Sequence, residues 1–366
     1  MVRDTYAVID LDAVEHNLTL IKNEIPLEKV YAVVKANAYG HGLTAFTRFL
    51  YGMGVRHFAV ACLKEALELY SDAKEISADA TILIMGYTSN RLLSEFREYP
   101  FVFTIFSLEQ ARILNGASRT VPVEIKVNTG FNRLGERPDE RFLKEVTEIH
   151  NLNNILINGI FSHLRLAEKD EDLRQISDFE RFCNTLPFSN FRRHICDSIG
   201  FIQYPFARFD MVRLGAILYG LVPDRQLHLG YRPTLSLYSE IAHRITVHKG
   251  EGIAYDEQFK APSEMTIAVI PIGYGDGYKR SLSNQGSVYV IGRLCPVIST
   301  ICMDQLTVDV TGLNLRTGDP VELIGPNIPV RNIAAIARTN RNDIVASLST
   351  RIERRYTQGD TVVKIV

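Results

Sequence analysis

The chain has 366 residues, 46% of them hydrophobic and 23% charged, the profile of an ordinary soluble globular protein with length enough for two domains. A formal net charge of -1 gives no electrostatic case for nucleic acid or a membrane surface, and no continuous apolar segment is long enough to span a bilayer. Five cysteines without a CxxC pair argue for reduced thiols in the cytoplasm rather than a disulfide framework or a zinc site. From the N-terminus, Arg3-Asp4 and Asp10 fall where a signal peptide would be apolar. To about residue 220, short β-branched runs then alternate with stretches of helical period. The runs span 31–34, 58–61, 81–85, 101–106, 121–127 and 155–161. Helical segments at 63–70, 108–114 and 139–149 lie between them, the last spacing Phe142, Val146 and Ile149 along one face. Strands alternating with helices predict a parallel sheet, and the length of the region favours a closed (β/α)8 barrel over an open doubly wound sheet. Cys62, Cys295 and Cys302 lie in apolar runs and are expected in the core.

After Pro223 the character changes. Strand-like runs at 241–247, 265–271, 288–291, 297–300, 306–310 and 320–324 follow one another with turns such as Lys249-Gly250-Glu251-Gly252 between them. Short helical pieces are expected at 333–338 and 343–351. The predicted organisation is a barrel over 1–230 and a predominantly β domain over 231–366.

The stretch Val33-Val34-Lys35-Ala36-Asn37-Ala38-Tyr39-Gly40-His41-Gly42 stands out. Lysine at the end of a buried strand is uncommon, because an ammonium loses free energy out of water unless it is paired or neutralised. A Schiff base would remove that cost by turning the amine into an imine, and a barrel presents strand ends at the face where active sites form. Tyr39 offers a hydroxyl suited to a phosphate, and Gly40 and Gly42 allow tight turns near a ligand. The plainer alternative is a lysine snorkelling from a strand end beside an ordinary turn.

This stretch resembles the cofactor-lysine signature of the alanine racemases, pyridoxal phosphate enzymes that couple a barrel to a C-terminal β domain. The resemblance extends along nearly the whole chain. It implies pyridoxal phosphate on Lys35, with Tyr39 at the phosphate. Lys126-Val127-Asn128-Thr129-Gly130-Phe131-Asn132-Arg133-Leu134-Gly135 is similar to the segment that carries a carbamylated lysine and a substrate-carboxylate arginine, roles that fall on Lys126 and Arg133. Arginine suits a carboxylate because it makes two parallel hydrogen bonds. Asn128, Phe131 and Asn132 depart from the usual Asp, Met and Gly, and a strand-end lysine paired with an acid is the alternative for Lys126. His163 matches a histidine packed by the pyridine ring, and Ser198, Gly215 and Ala216 match phosphate-binding positions. Arg213 matches the arginine facing the pyridine nitrogen, which keeps that nitrogen unprotonated and favours reprotonation at Cα over transamination.

In the second domain Tyr255 matches the other catalytic base, supplied in this family by the partner subunit. That implies a homodimer with composite active sites. Asp256 replaces the usual glycine after it. Tyr274 matches a tyrosine at the mouth of the substrate channel, and Met303 and Asp304 match residues near the substrate carboxylate; Ser299-Thr300 stands where Gly-Arg is common. Thr350 occupies a position where many alanine racemases have tyrosine and vancomycin-resistance serine racemases have a small polar residue. The resemblance thus implies a racemase of alanine, supplying D-amino acid for cell-wall precursors, with a serine or serine/alanine racemase as the alternative. A non-catalytic pyridoxal phosphate carrier would lack the second domain, and a decarboxylase would set an acid against the ring nitrogen. No HxH or HExxH spacing points to a metal.

Overall fold

Eight parallel strands, ordered around the sheet almost as they occur in the chain, build the first unit of the computed structural model, which describes residues 3–255 and 258–366. The chain's first strand, β1 (Tyr6–Asp10), is not among them. The eight are β2 (Val30–Val33), β3 (His57–Val60), β4 (Thr81–Ile84), β5 (Val102–Ile105), β6 (Val121–Lys126), β7 (Ile155–Phe161), β8 (Arg192–His194) and β9 (Val212–Leu214). Each pairs with the next from β2 to β8, and β2 also pairs with β9. Backbone bonds from Met211 N to Arg193 O (3.2 Å) and from Arg213 N to Cys196 O (3.0 Å) bring β9 back to β8, so the sheet returns on itself as a (β/α)8 barrel. The strands are buried nearly throughout, which is why they read as continuous apolar runs and not as alternating ones.

The helices sit close to their predicted places, at Leu63–Asp72, Leu108–Asn115 and Glu140–His150. Phe142, Val146 and Ile149 form the buried stripe of the last. Ser107 and Asp139 cap the two latter helices by accepting from Gln110 N and Phe142 N. Cys62 is a correction to the expected core set. It is exposed, because it occupies the extended position just before Leu63–Asp72, beyond the strand it seemed to continue. Cys295 is buried and Cys302 half-buried, and all five thiols are free.

The second unit comprises Met1–Leu18, Tyr39–Gly42 and Tyr219–Val366. Its sheet has ten strands. Beyond β1 they are β10 (Leu235–Glu240), β11 (His243–Val247), β12 (Met265–Ile270), β13 (Ser287–Val290), β14 (Arg293–Ile298), β15 (Leu306–Asp309), β16 (Pro320–Ile324), β17 (Glu353–Gln358) and β18 (Thr361–Ile365). β1 lies between β10 and β17, antiparallel to the first and parallel to the second, with Tyr6 opposite both Tyr238 and Glu353. The N-terminal strand, expected with the barrel, therefore belongs to the β unit. Its alternating burial, with Ala7 and Ile9 fully inside, suits a sheet with one covered face. The late helical pieces are Val330–Ile336 and Arg341–Ala346; the second stops well before the expected residue 351. No helix among the described residues is long and apolar enough to cross a membrane, and no group of three His, Cys, Asp or Glu among them is placed to hold a metal.

Candidate active site

Parallel strands end at one rim of a barrel; Lys126 is the last residue of β6, and the segments after β2, β7, β8 and β9 carry Lys35, His163, Ser198 and Gly215. Val34 N still bonds Ala59 O at 2.9 Å, so Lys35 is the first residue past the ladder. The chain then winds the wrong way. Ala36, Asn37, Ala38 and Tyr39 have φ of 53°, 54°, 51° and 52°. Each non-glycine residue in that left-handed region costs about 1–2 kcal/mol. Side chains hold the turn: Glu65 Oε1 accepts from Ala36 N (2.7 Å), and Asn37 Oδ1 from Leu43 N (2.7 Å). Glu65 Oε2 also accepts from Ala61 N at 2.7 Å, which ties the turn to the end of β3. Burial pushes the Lys35 amine below its ordinary value, and the positive charges of Arg133 and Arg213 push the same way against Glu65 and Asp197. A lysine so placed gives up its proton more easily than an exposed one, the direction that favours a nucleophilic amine.

Lys126 ends β6 at 6% exposure, its amine donating to Val127 O at 2.9 Å. Burial first, then Arg213 and Arg133, hold it well below the usual lysine range. Among the described residues no carboxylate pairs with it, contrary to the paired-lysine alternative. Arg133 is exposed and lies 4.4 Å over the Phe131 ring, which meets His163 edge-on at 4.7 Å. Burial, with Arg213, Lys126, Arg133 and Lys35 nearby, drives the His163 imidazole down to about 2, so it is neutral and accepts from Arg213 Nη2 at 3.3 Å.

Arg213 is 4% exposed and densely bonded. Nη1 donates to His194 Nδ1 (2.6 Å) and His194 O (3.3 Å), and Nη2 donates to Ser162 O (2.7 Å), Ile195 O (3.0 Å) and His163. Among the described residues these five bonds all leave through the two terminal nitrogens, and Nε has no acceptor there. Ser198 Oγ accepts from Gly215 N (3.0 Å) and Ile217 N (3.4 Å), which joins the turns after β8 and β9. The Gly215 N–H expected for a phosphate is thus engaged by Ser198, and Ala216 follows it in the same turn.

The remaining candidates belong to the β unit. Tyr39 stacks on Tyr219 at 4.6 Å. Tyr255 is 65% exposed, in a loop anchored by buried Ile253, whose carbonyl accepts from Ser299 Oγ. Asp256 lies outside the described residues. Tyr274 N bonds Cys302 O (3.1 Å) and Gly275 N bonds Met303 O (2.8 Å), which sets Tyr274 beside Met303-Asp304. Arg351 Nη2 reaches Asp304 Oδ1 at 2.7 Å, and Arg351 Nε lies 3.3 Å from Oδ1 of fully buried Asp276. Thr350 is exposed and directly precedes Arg351 in the chain. In the Ser299-Thr300 corner, Ser299 has φ 64° and Thr300 Oγ1 is buried with no partner among the described residues. The sequence reading gave no role to Glu65, Arg351 or Glu124. Glu124 was visible in principle as a charge inside the apolar run 121–127.

Known proteins share this architecture. The family description for the N-terminal domain of alanine racemase matches residues 9–223, and that for its C-terminal domain matches 234–356. The chain is 34% identical over 382 aligned positions to alanine racemase 1 of Clostridium acetobutylicum, covering 100% of this chain and 98% of that protein. Among solved structures, alanine racemase of Clostridium difficile 630 superposes with a TM-score of 0.94 at 30% identity, covering 100% of this chain and 99% of that one. That of Bartonella henselae, solved with covalently bound pyridoxal phosphate, has a TM-score of 0.85 at 28% identity and covers 97% of this chain and 99% of its own. With both domains matched in order along nearly its full length, the chain belongs to the alanine racemase family.

Proposed function

We propose that this protein is a pyridoxal phosphate-dependent racemase that interconverts L- and D-alanine with two bases, supplying D-alanine for cell-wall precursors. The observation that carries the reading is Lys35: a lysine just past a barrel strand, its amine depressed by burial and by two arginines. The residues present fit the cofactor. Lys35 would hold it covalently. The turns joined by Ser198 and Gly215, with Ala216 and Tyr39, would take its phosphate. The Nε of Arg213 would donate to its ring nitrogen, with His163 packed alongside. Bound pyridoxal phosphate withdraws electron density from the substrate's Cα–H bond and so makes that proton removable.

The chain's own groups would do the rest. Arg133 binds the substrate carboxylate, Tyr255 takes or returns the Cα proton on the L face, and Lys35 does so on the D face. Tyrosine has an ordinary pKa near 10, so Tyr255 needs an enclosed setting to act as a base. Its 65% exposure on this chain, with Tyr274 at 43% and Met303 at 53%, supports a homodimer in which this surface lines the partner's site. The free thiols suit a cytoplasmic protein. Lys126 would carry a carbamate. Its amine, in the unprotonated form that burial favours, attacks carbon dioxide: an N–C bond forms as one C=O π pair moves onto oxygen, and the nitrogen's proton passes to water, leaving an anion toward Arg133 and Arg213. Intact-mass measurement with and without bicarbonate tests this.

The main test is formation of D-alanine from L-alanine by the purified protein. Lys35→Ala should lose both racemisation and the cofactor's absorption band. Tyr255→Phe should keep the band and lose racemisation. Cofactor binding with no D-alanine would instead indicate a carrier, and carbon dioxide release a decarboxylase.

A further inference from the structure

Inside the barrel, between the strands and beneath the rim, three polar side chains that the proposed reaction leaves unused, Tyr31, Glu124 and His194, lead to Arg213. Tyr31 on β2 donates its hydroxyl to Glu124 Oε1 on β6 at 2.7 Å. Glu124 Oε2 lies 2.9 Å from His194 Nε2 on β8, and His194 Nδ1 lies 2.6 Å from Arg213 Nη1 on β9. Tyr31, Glu124 and His194 are fully buried. The fit is close. A Cβ on Gly159 would stand 3.0 Å from Glu124 Oε1, so the absence of a side chain on β7 makes room for the carboxylate. Phe161 stacks flat on the His194 ring at 5.0 Å and 3°, and Tyr31 contacts the same imidazole at 5.5 Å.

Proton positions follow from the partners. An ionised carboxylate can only accept and a guanidinium can only donate. His194, held between them, has one consistent assignment: the proton on Nε2 and the lone pair on Nδ1. Burial alone would push the Glu124 carboxyl up, but His194, Tyr31 and Arg213 together pull it below the ordinary range, so it is the anion this assignment needs. Burial also lowers the His194 imidazole, in keeping with a neutral ring.

We propose that Glu124 is a positioning residue. By accepting from His194 Nε2–H, it fixes the tautomer whose Nδ1 accepts from Arg213, and so holds the guanidinium with Nε directed at the cofactor's ring nitrogen. Tyr31 fixes the carboxylate in turn. The inference rests on the reading of Arg213 given above. With any other acceptor geometry at His194, Nδ1–H would face Nη1–H, donor against donor, and the guanidinium would have to turn away. A misplacement of about 1 Å at a catalytic contact costs on the order of a hundredfold in rate.

The experiment compares Glu124→Leu, Glu124→Gln and Tyr31→Phe with the unaltered enzyme, using three readouts: the His194 tautomer from ring-nitrogen NMR shifts of histidine-labelled protein without cofactor, racemisation by the loaded enzyme, and pyruvate formed per D-alanine formed. Glutamine can accept from Nε2–H through its carbonyl while its amide donates to the Tyr31 oxygen. Glu124→Gln should therefore keep the tautomer and racemise within a few-fold. Glu124→Leu offers no acceptor and should lose the tautomer, slow racemisation about a hundredfold and raise the pyruvate ratio, because a displaced arginine no longer excludes a proton from the ring nitrogen. Tyr31→Phe should move the pyruvate ratio a few-fold in the same direction, and it carries the test should Glu124→Leu not fold. A proton on Nδ1 in the unaltered protein, or an unchanged pyruvate ratio in folded Glu124→Leu and in Tyr31→Phe, overturns the proposal. If the unaltered protein makes no D-alanine, the functional reading fails, while the tautomer in cofactor-free protein still decides whether Glu124 sets His194.

Discussion

Gly135 closes the loop that carries Arg133 back over the end of β6, and Gly135→Ala tests whether that closure is as tight as the distances say. A Cβ built there would lie 2.5 Å from the Lys126 carbonyl oxygen, 2.8 Å from Lys126 Cγ and 2.9 Å from its carbonyl carbon, with φ at 98°. Two costs combine. An L side chain in left-handed backbone costs about 1–2 kcal/mol. Forcing a methyl into strand backbone that cannot swing aside costs about 1–3 kcal/mol more. Gly54 separates them. It has the same φ of 98°, but its Cβ would meet only Leu27 Cδ1 at 3.9 Å, an ordinary contact. Gly54→Ala should thus pay the backbone cost alone, and Gly135→Ala about 1–3 kcal/mol beyond it. Urea unfolding of both variants at one pH measures the difference. Because the loop must lift to relieve the clash, Arg133 should shift as well, raising KM for alanine more than kcat falls. Equal midpoints for the two variants together with an unchanged KM would refute this account of the loop.

Acid should unfold the protein early. His163 falls from an ordinary 6.5 to about 2, and His57 to about 4. Below 6.5 the unfolded chain takes up protons that the fold refuses, so the contribution is intact above that value and is lost as pH falls toward the folded value. For His163 the loss runs at about 1.4 kcal/mol per pH unit, or roughly 2 kcal/mol by pH 5, and His163→Asn should recover that amount in denaturant titrations at pH 7 and 5. Equal losses in both proteins would place the acid sensitivity elsewhere. Thr350→Tyr should lower kcat/KM for serine relative to alanine by about tenfold, since it replaces a small hydrogen-bonding side chain by one that fills the space. An unchanged ratio would remove Thr350 from substrate selection.

Much of the barrel was legible because its strands are buried on both faces and its helices keep a clear stripe, as Phe142, Val146 and Ile149 do. Lys35, Lys126 and His163 could be placed at one rim from sequence, since each directly ends or follows a recognisable strand. β1 could not be assigned to its sheet, because an alternating pattern says which face is buried but not which strands lie alongside. Cys62 misled for a related reason: the apolar run of β3 continues past the point where the strand stops. Glu124 passed as an interior strand position because its meaning depends on Tyr31 and His194, which lie 93 and 70 residues away. The wrong-handed turn after Lys35 had only Asn37 as a local signal, for alanine carries no preference for positive φ. Glu65 and Asn37 impose it.

That turn has a consequence in chirality. Ala36 to Tyr39 hold L residues in the backbone conformation natural to their mirror images, next to the amine proposed to exchange the substrate's Cα proton. Of the four only Asn37 is of a type that visits this region readily; glycine would be at ease there, but equally at ease wound the other way. Ala36, Ala38 and Tyr39 resist the turn, and Glu65 and Asn37 hold it, which leaves the segment one arrangement; relaxing it would give the chain beside Lys35 a second hand to choose.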